Sequence, residues 1–393
     1  MNSTVDEFVA SLVGVRDWNP QFAQMSEWAA AGRTDDLLAV GDALTDTART
    51  PAIEPVVRYS VLDSLERTLA LAPGLRQAEA ALALLPRREA RAEAPLRVTG
   101  HQRRADTASL LAQAQPPAVL QALFERHDPQ PQMLLACLVQ EMVLRGFPIP
   151  GAAAVFWERE IAGAVHPLGG LPLSLLPQER AFPKHLPQSS PQAQRWASPA
   201  SGAWKIKPLP EPVEMSIQWT RIAVSGTEKR NIEAAAANWE QESNGKIESR
   251  VFQAAAAVPA AALTTDAVLS LPLECLAGAS EQDLWLVPYS VSDAVAELFA
   301  AASNGGAYNR GLGGAYGRRE AWRSAGALAG INNEAGINNE ASVEETAACA
   351  SACAWFFCTA KSSWFYDVAW DLGLLALRPN GRTLAVLAAT DTD

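Results

Sequence analysis

Prolines crowd the stretch from residue 148 to 212. Proline lacks an amide hydrogen and fixes φ, which disfavours helix interiors and central strands, so the stretch reads as a connection between separate parts of the chain. Ser189, Ser190, Ser198 and Ser201 add polar turns there, and 183–199 reads as loop or linker. Phe156, Trp157, Leu171, Leu173 and Leu175 lie in the same region and demand burial, which predicts packing on a neighbouring domain. The chain has 393 residues, and at roughly 100–200 residues per domain that means two or three domains. The expected boundaries are an all-helical region at 1–147, a Pro-rich connecting segment at 148–212, and an α+β region at 213–393 with a Gly-rich loop and C-terminal helices. The predicted fold class is α+β, helix-rich.

The N-terminal helices follow from apolar spacing. Thr34 reads as the cap of a helix carrying Leu37, Val40 and Leu44. Pro116 and Pro117 open another with Leu120, Leu123 and Phe124 on its buried stripe, and a third carries Leu134, Cys137 and Leu138. Stacked as antiparallel pairs these would make a helical-repeat-like array, although no period of 30–45 residues recurs in the sequence.

After residue 212, Val213, Met215, Ile217 and Trp219 alternate with polar residues, the pattern of a half-buried strand. Thr227 is expected to cap a helix through Trp239, and 247–252 reads as the next strand, together a βαβ unit. Further strands are expected at 284–287 and 383–388, with Ser290 or Ser292 capping a helix between them and helix over the remainder up to Pro379. Ten of the twelve tryptophans and four of the five tyrosines lie after residue 150, from either a binding surface or a larger aromatic core.

Composition narrows the function classes. Hydrophobic residues make up 49% and charged residues 19%, enough to build a large core. The net charge of -11 disfavours non-specific nucleic-acid binding. The apolar stretch at 251–273 is broken by Pro259, Asp266 and Pro272, so no membrane span is expected. Asp6 and Glu7 with no basic run predict no signal peptide, and five cysteines do not form an even disulfide framework; the expected compartment is cytoplasmic. The histidines, His101, His127, His166 and His185, all precede residue 186. GxSxG and HExxH are absent, and the sequence leaves any cofactor unknown.

Chemistry concentrates near the C-terminus. The run GGAYNRGLGGAYGRR at 305–319 repeats GGAY, each time with an arginine two residues after the tyrosine. Its glycines permit close backbone approach to a ligand, and Arg318 and Arg319 are expected at the start of a helix containing Trp322. The candidate ligand-binding residues are Gly305, Tyr308, Arg310, Gly313, Tyr316, Arg318 and Arg319, and the chemistry they suit is an anion. The alternative is a wide turn whose arginines pair with carboxylates. The run is neither a P-loop nor a dinucleotide fingerprint.

On a helix, Trp364, Asp367, Asp371 and Leu374 would share one face. Two carboxylates there call for a cation, either an arginine or a bound ligand, and make Asp367 and Asp371 the candidate catalytic pair. Cys349, Cys353 and Cys358 match no zinc spacing and read as core residues; no metal ligands are assigned. The duplicated AGINNE at 329–340 reads as an exposed loop insertion, and 390–393 as a polar tail.

The segments GGAYNRG at 305–311, AWRS at 321–324, WFYDVAWDLG at 364–373 and RPNGRTLAVLAATDTD at 378–393 resemble an uncharacterised bacterial family of unknown function, over the last third to half of the chain. The resemblance implies no activity and no site residues. Two functions stay open: a noncatalytic binding protein for a protein partner or small anionic ligand, and an enzyme acting on a phosphorylated or carboxylated small molecule.

Overall fold

The structure, a computed structural model, describes residues 3–46, 50, 52–90, 100–126, 132–163, 166–189, 211, 213–331, 342–366 and 370–392. The fold is α+β and helix-rich. It divides into two compact units, Met1–Ile161 with Gln188–Trp196, and Ala162–Pro187 with Ala197–Asp393.

The first unit is helical. Its helices are α1 (Ser3–Ala10), α2 (Asn19–Ala30), α3 (Thr34–Thr45), α4 (Pro55–Leu71), α5 (Leu75–Ala90), α6 (Gly100–Ala114), α7 (Pro117–Arg126), α8 (Gln132–Leu144) and α9 (Gly151–Phe156). Proline opens α2, α4 and α7, where a missing amide hydrogen costs nothing. Thr34 is the first residue of α3, and its side chain does not cap the helix. Odd-numbered helices pack in succession from α1 to α9, and even-numbered ones from α2 to α8. That order is the order of a stacked helix-hairpin array. A buried charge cluster ties three helices of it together. Arg88 of α5 bonds Asp63 at 2.6 Å and Glu66 at 2.5 Å on α4, Arg103 of α6 reaches Asp63 at 3.1 Å, and Thr107 donates to Glu66 at 2.5 Å.

Among the described residues, the second unit is built on a six-stranded antiparallel sheet of β1 (Trp219–Ile222), β2 (Lys246–Ala254), β3 (Leu284–Tyr289), β4 (Ala354–Ala360), β5 (Asp371–Leu377) and β6 (Thr383–Thr390), in the order β1-β2-β6-β5-β4-β3. Helices α10 (Gly226–Glu233), α11 (Ala237–Glu242), α13 (Val291–Asn304), α14 (Gly313–Ala329) and α15 (Val343–Ala352), with α12 (Thr265–Leu269), complete it. Helices α10, α13 and α14 pack on the sheet. Phe252, Leu286, Phe356, Leu375 and Val386 form a core with Leu263, Val268 and Leu276 of the segment before β3. The central strands are therefore covered on both faces, and all eight residues of β6 are buried.

Three expectations are corrected here. The C-terminal end is not helical: 354–360 and 371–377 are strands, so Trp364 and Asp371 do not share a helix face. The expected βαβ unit is an antiparallel pair, β1 on β2. Ser225 rather than Thr227 caps α10, and a turn at 234–236 separates α10 from α11.

The cap expected at Ser290 is present. Its hydroxyl accepts the Asp293 amide at 3.2 Å, and the Asp293 carboxylate accepts the Ser290 amide at 3.2 Å. Ser290→Ala is expected to lower unfolding free energy by about 1 kcal/mol, measured by urea denaturation.

Candidate functional site

The Gly-rich segment is a loop from α13 into α14, and its amides face inward. Gly305 N–H donates to Ala301 O at 3.2 Å, Gly306 N–H to Asn309 Oδ1 at 2.5 Å, Tyr308 N–H to Ser243 Oγ at 3.1 Å, and Leu312 N–H to Ala302 O at 2.9 Å. Ala307 N–H donates to Asp391 Oδ2 at 2.7 Å, so the carboxylate seated on this loop belongs to the chain itself. Asn309 also donates to Asn238 O at 2.7 Å. Gly305, Gly311 and Gly313 have φ of 82°, 64° and 75°. A Cβ on Gly306 would lie 1.9 Å from Asp391 Oδ2, which is why the carboxylate can seat there. At the tip, Tyr308 is 63% exposed and Arg310 is exposed. Tyr316 is half-buried, and the first turn of α14, from Gly313 to Ala315, is buried.

Arg318 is not at the helix start. It lies within α14, fully buried, and its guanidinium clasps Glu179: Nε to Oε1 at 2.6 Å and Nη2 to Oε2 at 2.7 Å. Pro172 O at 2.9 Å and Ser174 O at 2.8 Å take further donors. Trp322 Nε1 adds a bond to Glu179 Oε1 at 2.7 Å, and Leu176 N–H one to Oε2 at 2.7 Å. The anion that Arg318 meets is thus a protein carboxylate. Arg319 pairs with Glu320. His166 is pushed below the ordinary histidine pKa, first by burial and then by the charge of Arg319; its Nδ1 accepts the Leu168 amide at 3.1 Å.

Asp367 lies outside the described residues, as does most of the duplication at 329–340. Asp371, the first residue of β5, accepts the Thr390 hydroxyl at 2.5 Å. Thr390 and Asp391 end the β6 segment, and both are fully buried rather than part of a polar tail. Thr390 binds Asp371 while Asp391 binds the Gly-rich loop, so the loop and Asp371 meet at one end of the sheet through two consecutive residues. The start of β2 is there too, with Lys246 opposite Thr390.

The cysteines are corrected in part. Cys358 is buried on β4, but Cys349 is exposed and Cys353 half-buried on and after α15. Burial pushes the Cys353 thiol up to about 11. Among the described residues, no group of three or more His, Cys, Asp or Glu could hold a metal, and no helix is long and apolar enough to cross a membrane.

Glu179, Asp391 and Lys246 were not legible as partners, since each meets its contact far away in sequence. Residues 19–393 match a family described only as of unknown function, DUF6183. The chain belongs to this family. The DUF6183 match takes in most of the helical unit, so the likeness is not confined to the last third to half of the chain. A search of curated proteins gave no match, and neither did a search of solved structures.

Proposed function

We propose that this chain is a noncatalytic binding protein whose recognition surface is the tip of the 305–311 loop, with Tyr308 as the aromatic anchor and Arg310 as the contact for an anionic group on a protein partner. The observation that carries this is the loop's inward bonding: amides at 305, 306, 307, 308 and 312 are all held by the protein, while Tyr308 stands 63% exposed. A loop locked in this way loses little conformational entropy when a partner binds. Tyrosine and arginine are the residue types that most often dominate interface energetics. Two of the groups the enzyme alternative would use are engaged elsewhere: Arg318 holds Glu179, and Asp371 holds Thr390.

The test is affinity capture from the cells that make the protein, comparing wild type with Tyr308→Ala and Arg310→Glu. Both side chains are exposed, so folding, checked by circular dichroism, should not change. A partner captured by wild type is expected to bind each variant at least about thirtyfold more weakly, the range of an interface hot spot. Equal capture by all three proteins would remove the loop tip from recognition.

A further inference from the structure

A second feature at the same end of the sheet is independent of the loop tip. An open cleft of about 500 Å³ lies where the chain leaves β4, lined by Ala277, Gly278, Lys361, Ser363, Phe365 and Tyr366 among others. That volume is in the range of small-molecule sites. The protein carries a net charge of -11, yet no described carboxylate lines this cleft.

Its lining presents several solvent-exposed donors that no described protein group accepts. Within the described residues, the Lys361 ammonium, the Ser363 hydroxyl and amide, and the Gly278 amide make no hydrogen bond. Gly278 has φ of 79°, and nothing lies within 4 Å of where its Cβ would stand, so its backbone is open to approach. Tyr366 accepts a bond from Lys246 Nζ at 2.8 Å, which leaves its own proton to donate and places a second cation behind it. Ser362 sets the geometry of the turn: its hydroxyl donates to Cys275 O at 2.9 Å and accepts the Trp364 and Phe365 amides at 3.2 Å each. Asp283, in the turn before β3, is an acid close enough to Lys361 to feel its charge. Its carboxylate is occupied by Ser280, whose hydroxyl and amide hold its pKa below the ordinary range, with Lys361 a smaller contributor.

We propose that this cleft is a binding site for a phosphorylated small molecule, with Lys361, Ser363 and the Gly278 amide on the phosphate oxygens and Phe365 and Tyr366 against the remainder. A phosphate has only acceptor oxygens, spread in three dimensions, and that suits a set of amide, hydroxyl and ammonium donors arriving from two segments. A planar carboxylate would satisfy fewer of them.

The experiment is isothermal titration of the full chain with inorganic phosphate and glycerol phosphate, and with succinate as the carboxylate arm. Saturable binding of the phosphates is expected, weakened at least about tenfold in Lys361→Glu and measurably in Ser363→Ala, the scale of charge-assisted and neutral hydrogen bonds. Lys361→Arg should retain most of it, and Arg310→Glu should leave it unchanged, which separates this site from the loop tip. No saturable phosphate binding, binding insensitive to Lys361→Glu, or succinate binding as tight as phosphate would each overturn the assignment. Loss of phosphate binding in Arg310→Glu alone would also overturn it, and would move the anion site to the loop.

Discussion

Glu179→Ala is expected to cost the second unit about 3–5 kcal/mol of unfolding free energy, the scale for removing one partner of a buried ion pair. The Glu179 carboxylate is fully buried and accepts from Arg318 Nε and Nη2, Trp322 Nε1 and the Leu176 amide. Removing it strands a guanidinium that is itself fully buried, with neutral carbonyls such as Pro172 O and Ser174 O in place of the carboxylate. Arg318→Ala should cost a similar amount, since it leaves the carboxylate uncompensated. The double variant Glu179→Leu/Arg318→Met discriminates between charge and packing: with no charge left to strand, it should be less destabilised than either single variant. Urea denaturation, read at the transition of the second unit, measures all three. Single variants that lose less than about 1 kcal/mol would mean that water reaches the site and solvates the orphaned charge.

The same pair marks where sequence reasoning stops. Arg318 stood out because it belongs to a glycine-arginine run, and its partner is a carboxylate of the protein. Glu179, however, lies 139 residues earlier, in a Pro-rich segment with no pattern to point toward α14. The helices at Pro117 and Gln132 were legible from their apolar period, the cap at Ser290 from its residue type, and the strand from Thr383 from the turn signal at Pro379, Asn380 and Gly381 before it. The strands β4 and β5 were not. Their sequences, AWFFCTA and DLGLLAL, are buried on both faces and so lack the alternation that marks a strand with one wet face. An unbroken apolar run looks the same whether it enters a helix or a central strand, and the helix face drawn through Asp367 and Asp371 followed from that ambiguity. The end of the chain misled for the opposite reason. Thr390 and Asp391 are polar and near the terminus, yet each is buried because a specific acceptor or donor waits for it, on Asp371 and on Ala307. The repeat-like stacking expected of the N-terminal helices has its counterpart in the packing order of α1 to α9, although the sequence shows no period.

For the loop, the largest effect is expected at Gly311. Its φ is 64°, and a Cβ there would lie 2.4 Å from Asn304 C and 2.5 Å from both Gly305 N and Ser303 O. All three are backbone atoms at the end of α13, so no side chain can swing away. Gly311→Ala therefore combines a left-handed residue, at about 1–2 kcal/mol, with an overpacking term of about 1–3 kcal/mol. The combined loss should be roughly 2–5 kcal/mol in urea denaturation. Gly278→Ala is the control within the same unit: its φ is 79°, but its Cβ would meet nothing within 4 Å, so the strain term of about 1–2 kcal/mol stands alone. A loss at Gly311 no larger than at Gly278 would mean that the loop can lift off α13 at little cost. A loop that lifts so easily would not hold Tyr308 and Arg310 in place before a partner arrives, and the case for a preorganised recognition surface would fall with it.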